Sequence, residues 1–308
     1  MQVEEELAHK SPDRETVLSI GVFDGVHLGH KRLLSRLVEQ ARERNFLAGV
    51  VTFRQHPEEV MLSGTKLPFL TDSAERSNLL EQAGVDIVVT LSFTRELAQL
   101  DARRFIGLLQ KYLKMRGMVI GPDFALGRNR EGNVDTIPGL GEEMGFTVTM
   151  VPPLLIDGEV VSSTAIRRAI SAGDMRKVNR FSGRPFNLRR RVIAGAGRGT
   201  GLGFPTANLD IDPEQALPSD GVYAGWAYIN GKAYPSLTNI GYCPTFGGSE
   251  RTAEAYLIDY QGDLYGRELR VEIIERLRDE VKFHNADELK QQMAEDIRQG
   301  RVVLESGS

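Results

Sequence analysis

The sequence is poor in cysteine: Cys243 is the single one among 308 residues. An internal disulfide is therefore impossible, and the chain fits a reducing compartment, which we read as cytoplasmic. Long apolar runs are missing as well. Nothing approaches the roughly 20 residues that a membrane-spanning helix needs, so no membrane role is expected. The opening stretch, MQVEEELAHK, is acidic and polar and lacks the pattern of a secretory signal. Positive charge is not in excess: 38 Lys and Arg stand against 42 Asp and Glu, a formal net charge of −4. That balance argues against nucleic acid or an anionic membrane as partner. Phosphate ligands would have to be held locally, by metal, backbone and a few Arg or Lys.

Hydrophobic residues make up 41% and charged residues 26%, enough to build a substantial core. The length suggests two domains, and the pattern changes character near Gly183-Arg184-Pro185. Before it, apolar strand-like runs alternate with helical periodicity. Strands are expected at 16–20, 48–53, 86–91, 118–121 and 146–151. Helices are expected after residue 30 and over 73–83, 102–114, 163–171 and 174–180. This alternation predicts a parallel sheet with helical crossovers. After it the period is mostly two, at 187–193, 221–229, 233–237, 251–258 and 269–274, with Gly- and Pro-rich turns between. That predicts an all-β antiparallel barrel or sandwich. A terminal helix follows, with Asn285 and Glu288 spaced as a capping pair. We place the domains at 14–182 and 183–304.

Gly21 to His30 reads GVFDGVHLGH, between the first strand and the first long helix. A helix start offers free N–H groups and a positive dipole end to an anion. The imidazoles of His27 and His30 can donate to phosphoryl oxygens. The position, at the carboxyl end of a parallel strand, is where open α/β sheets bind ligands. Capping and packing are the plainer role for such a pair. Gly121–Gly127, GPDFALG, places Asp123 after another strand, as a ligand contact or an ordinary Pro-Asp turn. In VSSTAIR, Ser163 and Thr164 open a helix with Arg167 one turn on, a phosphate site or a plain cap.

In the second half, residues 195–208 read GAGRGTGLGFPTAN. The glycines allow a loop to wrap phosphate, although no Walker ending is present. Thr206 and Asn208, two apart, share a face if the segment is extended, and their oxygens suit Mg²⁺ carried by nucleotide phosphates. A Gly-rich barrel corner reads the same way. Glu254 lies on a strand with period two, sharing one face with Tyr256 and Ile258.

These motifs together resemble the bacterial bifunctional riboflavin kinase/FMN adenylyltransferase (FAD synthetase) family. GxFDGVHxGH, GxDFxxG and SSTxIR occur in the order of its adenylyltransferase half, and GFPTAN is the hallmark of its kinase half. The resemblance implies a Rossmann-like nucleotidyltransferase domain followed by a kinase barrel. It implies two reactions: riboflavin and ATP to FMN and ADP, then FMN and ATP to FAD and pyrophosphate. It assigns His27 and His30 to the transition state of adenylyl transfer, and Ser163, Thr164 and Arg167 to ATP phosphates. Asp123 would help to bind substrate, Phe23, Asp24 and Gly29 would contact nucleotide or substrate, and Asp24 would also shape the site. In the kinase half, Glu254 would be the base for the ribityl hydroxyl and Thr206 and Asn208 the Mg²⁺ ligands. Gly199, Gly203, Pro205 and Asn239 would contact nucleotide or substrate. Thr200, Val160, Cys243 and Tyr256 depart from common family residues. The chain is expected to be a monomer or weak homo-oligomer. The protonation state of the two histidines is left open.

Overall fold

The computed structural model describes residues 1–61, 67–195, 203–245 and 248–306, with backbone alone at 243–245 and 248–250. The chain divides into two compact units, Met1–Ser163 and Thr164–Ser308.

The first unit runs α1 (Gln2–Ala8), β1 (Thr16–Ile20), α2 (Leu28–Glu43), β2 (Leu47–Phe53), α3 (Pro57–Met61), α4 (Ser73–Gln82), β3 (Ile87–Leu91), α5 (Arg95–Ala98), α6 (Ala102–Leu113), β4 (Met115–Ile120), β5 (Ala125–Leu126), β6 (Gly132–Asn133), α7 (Ile137–Met144), β7 (Thr147–Met150), β8 (Leu155–Ile156) and β9 (Glu159–Val160). The order β3-β2-β1-β4-β7 makes one five-stranded sheet. Each neighbouring pair is parallel. The chain leaves β1 toward β2 on one side and later returns to β4 on the other. The carboxyl ends of β1 and β4 therefore form the switch point at which such sheets bind ligands.

Every residue of β1 is buried. Its two hydroxyls are satisfied by carbonyls: Thr16 donates to Leu113 at 2.8 Å and Ser19 to Val119 at 2.8 Å. Helix α2 buries Leu34, Leu37, Val38 and Ala41 against one face of the sheet. Helix α6 starts at an Asp101 cap and buries Phe105, Ile106, Leu109 and Leu113 on the other. Helix α1 joins that second layer through Val3 and Leu7.

The second unit runs α8 (Ser163–Ala172, starting on the last residue of the first), α9 (Met175–Ser182), β10 (Phe186–Ile193), β11 (Thr206–Leu209), β12 (Gly221–Ile229), β13 (Lys232–Thr245), β14 (Gly248–Leu257), β15 (Glu268–Arg278) and α10 (Ala286–Ser306). The strands close as β10-β11-β14-β13-β12-β15, a barrel rather than a sandwich. All pairs are antiparallel. Ala207, Thr238, Ala253 and Ala255 are buried on one side of the wall. Helix α10 covers part of the other side, where Met293 and Ile297 pack on Val222, Leu237, Tyr256, Ile258 and Leu277. The expected cap of α10 is realised, with Glu288 N–H donating to Asn285 Oδ1 at 2.9 Å. The bidentate pair of Arg278 with fully buried Asp296 also holds it, at 2.9 and 2.7 Å.

Candidate functional site

In the first unit, the turn after β1 carries the chemistry-bearing residues. Its backbone is left-handed at Phe23 (φ 52°), Gly25 (φ 79°) and Val26 (φ 34°). Such a conformation costs about 1–3 kcal/mol for a residue with a side chain, so surrounding structure must impose it. Both non-glycine residues are buried. At Gly25 a Cβ would come within 2.8 Å of Leu70 Cδ1, so space as well as φ demands glycine.

The carboxylate of Asp24 is buried and accepts from the N–H groups of Leu70 and Thr71 at 3.0 and 3.1 Å. The Thr71 hydroxyl accepts from Gly25 N–H at 3.1 Å. Asp24 is thus a brace between the turn and the segment that starts α4. Its carbonyl oxygen accepts from the Ser163 hydroxyl at 2.9 Å, which ties the first residue of α8 to the same turn.

His27 is the N-cap of α2, and its Nδ1 accepts from His30 N–H at 3.2 Å. This hydrogen bond uses the Nδ1 lone pair, so a ring proton can be offered only from Nε2. The tautomer of His27, undecided in the sequence, is set by its place in the helix cap. The His30 ring stacks on His27 with centroids 3.6 Å apart and planes 16° apart. The Phe23 ring meets His30 at 5.1 Å. At Gly29 a Cβ would lie 2.9 Å from the Val161 carbonyl oxygen and 3.1 Å from the His27 ring. This glycine is required by protein neighbours. Asp123 follows β4, the strand beside β1, and is exposed. Stacked imidazoles and the N-terminal end of α2 thus stand on the carboxyl side of β1, a set suited to a phosphoryl group, and the exposed Asp123 follows the adjacent strand β4. Thr164 is exposed and Arg167 half-buried on α8, in the second unit.

In the barrel, register brings a second set together. Glu254 on β14 pairs with Asn208 on β11 and with Asn239 on β13. Directly opposed residues of antiparallel strands share a face, so the three lie in one row. Thr206, two before Asn208, joins that face and donates to Glu254 Oε2 at 3.1 Å. Glu254 is half-buried and held, not simply solvated. Phe204 meets Tyr256 edge-on at 5.6 Å, just before Pro205. A Cβ at Gly195 would overlap the Asn208 carboxamide, so the glycine makes room for that side chain. Gly203 is left-handed (φ 89°), and among the described residues nothing lies within 4 Å of where a Cβ would stand; Gly199 and Thr200 lie outside the described residues.

Two neighbours were not singled out from sequence. Glu280 accepts from Asn239 Nδ2 at 3.5 Å. Its carboxylate lies 2.8 Å from where a Gly241 Cβ would stand. The signal available was Gly241 itself, directly after Asn239-Ile240. The other, in the first unit, is Thr71, which accepts from Gly25 N–H; it stands just before Asp72, the cap of α4, which accepts from Glu75 N–H at 2.8 Å.

Among the described residues no group of three or more His, Cys, Asp or Glu could cage an ion. The Thr206 hydroxyl and Asn208 carboxamide are hard neutral oxygens beside a carboxylate, a set that fits Mg²⁺ arriving on nucleotide phosphates.

Known proteins agree with both halves. The family described as FAD synthetase matches residues 9–165, and the family described as riboflavin kinase matches residues 182–304. The bifunctional riboflavin kinase/FMN adenylyltransferase of Escherichia coli strain K12 is 37% identical, covering 93% of this chain and 92% of its own. That of Bacillus subtilis strain 168 is 34% identical, with coverage of 93% and 92%. A solved structure from Streptococcus pneumoniae, described as a macrolide-efflux protein, has a TM-score of 0.89 at 29% identity and covers 96% of both chains. Among the described residues no helix is long and apolar enough to cross a membrane.

Proposed function

Because the chain belongs to the bifunctional riboflavin kinase/FMN adenylyltransferase family, we propose that it makes FMN from riboflavin and then FAD from that FMN, with ATP as co-substrate of both steps. The observation that carries the kinase half is the row of Asn208, Glu254 and Asn239 with Thr206 bonded to Glu254.

In the kinase reaction Glu254 orients the ribityl 5′-hydroxyl and takes its proton as the oxygen attacks the γ-phosphorus. Thr206 holds the carboxylate in place, and with Asn208 it is the pair that would hold Mg²⁺. Mg²⁺ held by that pair would neutralise charge on the nucleotide phosphates. Gly199, Gly203, Pro205 and Asn239 are assigned to nucleotide or substrate.

In the adenylyl transfer the FMN phosphate is already an anionic nucleophile. It needs alignment with the α-phosphorus and stabilisation of developing charge as pyrophosphate departs. His27 donates from Nε2, and His30 acts beside it. Phe23, Asp24 and Gly29 shape the turn, and Asp123 contacts substrate. Ser163, Thr164 and Arg167 are assigned to ATP phosphates. We place the functional modules at 14–182 and 183–304, and the enzyme in the cytoplasm as a monomer or weak homo-oligomer.

The test is incubation of the whole chain with riboflavin, ATP and Mg²⁺, followed by chromatographic separation of flavins. FMN appearing first and FAD after it supports the proposal. Turnover of CTP, with no flavin product from ATP, points instead to a transferase acting on another acceptor.

A further inference from the structure

Helix α4 carries a cation at a position that should be apolar. Arg76 lies one turn before Leu80 on the buried side, and only 5% of it is exposed. Its Nη1 donates to the Val22 carbonyl at 3.2 Å and its Nη2 to the Phe53 carbonyl at 2.7 Å. Its Nε is buried with no partner among the described residues. Burial pushes the guanidinium below its ordinary value, while Asp24 and Asp72 pull the other way. A buried charge of this kind is a poor way to gain stability, because an apolar side chain would avoid the desolvation. Its contacts suggest another purpose.

Val22 immediately precedes the left-handed turn. Its carbonyl accepts from Thr52 Oγ1 at 2.9 Å as well as from Arg76. The peptide entering Phe23 is therefore held from two sides. Two residues on, Thr71 accepts from Gly25 N–H, and Asp24 accepts from Leu70 and Thr71. The start of α4 thus grips the turn at Val22, Asp24 and Gly25. Phe23, between these grips, packs on His30, and His30 stacks on His27. Non-glycine residues keep a left-handed backbone only where the surroundings over-determine it.

We propose that Arg76 and Thr71 are positioning residues for adenylyl transfer: they hold the strained turn that sets the His27–His30 pair. The proposal rests on the reading of that pair given under Proposed function.

The test uses the whole chain with Arg76→Met, Arg76→Lys and Thr71→Val. With ATP and supplied FMN, kcat falls roughly 10- to 100-fold in Arg76→Met, the scale expected for small misplacement of reacting groups. KM values stay within about threefold, because an interaction that acts at the transition state leaves ground-state binding largely intact. Lysine reaches one carbonyl, not two, and recovers part of the loss. Thr71→Val keeps the volume, loses the acceptor for Gly25, and lowers kcat in the same direction even if Arg76→Met fails to fold. Riboflavin phosphorylation is unchanged in every variant. A second readout is independent of turnover: the ring-proton NMR signals of His27 and His30, shifted by stacking, move toward those of free histidine. Unchanged kcat with unchanged ring signals overturns the proposal, and so does an equal fall in both reactions. If the parent chain does not adenylylate FMN, the reading of the site fails, while the ring signals still decide whether Arg76 and Thr71 position the pair.

Discussion

At Gly195 the absence of a side chain decides where Asn208 can sit. A methyl group there would occupy the space of the Asn208 carboxamide. Asn208 would have to leave the row it forms with Glu254 and Asn239. We expect Gly195→Ala to lower riboflavin phosphorylation by roughly tenfold or more, on the scale of misplaced active-site groups, and to leave FAD formation from supplied FMN unchanged. Initial rates of the two reactions check this. An undiminished phosphorylation rate would show that Asn208 is not needed where it stands. The site was legible in the sequence where its residues fall within one short motif, as His27 and His30 do, or Thr206 and Asn208. Residues that act across distance were not. Asp24 binds Leu70, 46 positions away, and no local spacing announces that bond. Arg76 left one trace, a charge on the buried face of a helix. The tautomer of His27 needed the cap geometry itself.

Among the elements, the five sheet strands of the first unit and the helices α2, α4 and α6 were read from their period, while the short α3, α5 and α7 were not. Helix α1 was missed. It has seven residues, and its stripe is only Val3 and Leu7 within acidic sequence. What docks it is a long-range bond that no pattern shows: Ser92 donates through N–H and Oγ to the Glu6 carboxylate at 2.9 and 2.7 Å. Burial raises the Glu6 carboxyl, and the two Ser92 bonds, the Gln2 amide and the charge of Arg54 together outweigh it, leaving the group below its ordinary value. A carboxyl depressed on folding stabilises above its unfolded value and loses that contribution as pH falls through the folded one. The parent should therefore unfold at a higher temperature than Glu6→Gln near neutral pH, and the gap should close in acid. Thermal unfolding of both proteins from about pH 7 to about pH 3 spans the ordinary carboxylate value and reads this directly. A gap that stays constant would contradict it. Strand β13 also exceeded expectation, running over Lys232–Thr245 where a strand over 233–237 was read. Its Pro235 and the glycine and asparagine beyond residue 238 suggest a break. The register with β12 and β14 carries the strand through them.

The whole molecule joins two chemistries through one connecting segment. The compact units meet at Ser163 and Thr164, so α8 and α9 are grouped with the barrel. Their packing explains this. Ile170 accepts from Ser219 N–H at 3.2 Å, and Asn179 donates to the Ile273 and Ile274 carbonyls at 3.2 and 3.1 Å. The family match to the kinase nevertheless begins at residue 182, where the sequence period changes. Periodicity reports the change from helix to strand. It does not report which body a helix packs against, because that depends on contacts with β15 and the loop before β12, far away in sequence. Each functional module, 14–182 and 183–304, is expected to carry its own reaction. The most direct measurement compares Glu254→Gln and His30→Ala in two assays, FMN formation from riboflavin and FAD formation from supplied FMN. Glu254→Gln is expected to abolish the first and spare the second, and His30→Ala to do the reverse. Both reactions surviving in Glu254→Gln, or loss of phosphorylation in His30→Ala, would contradict it.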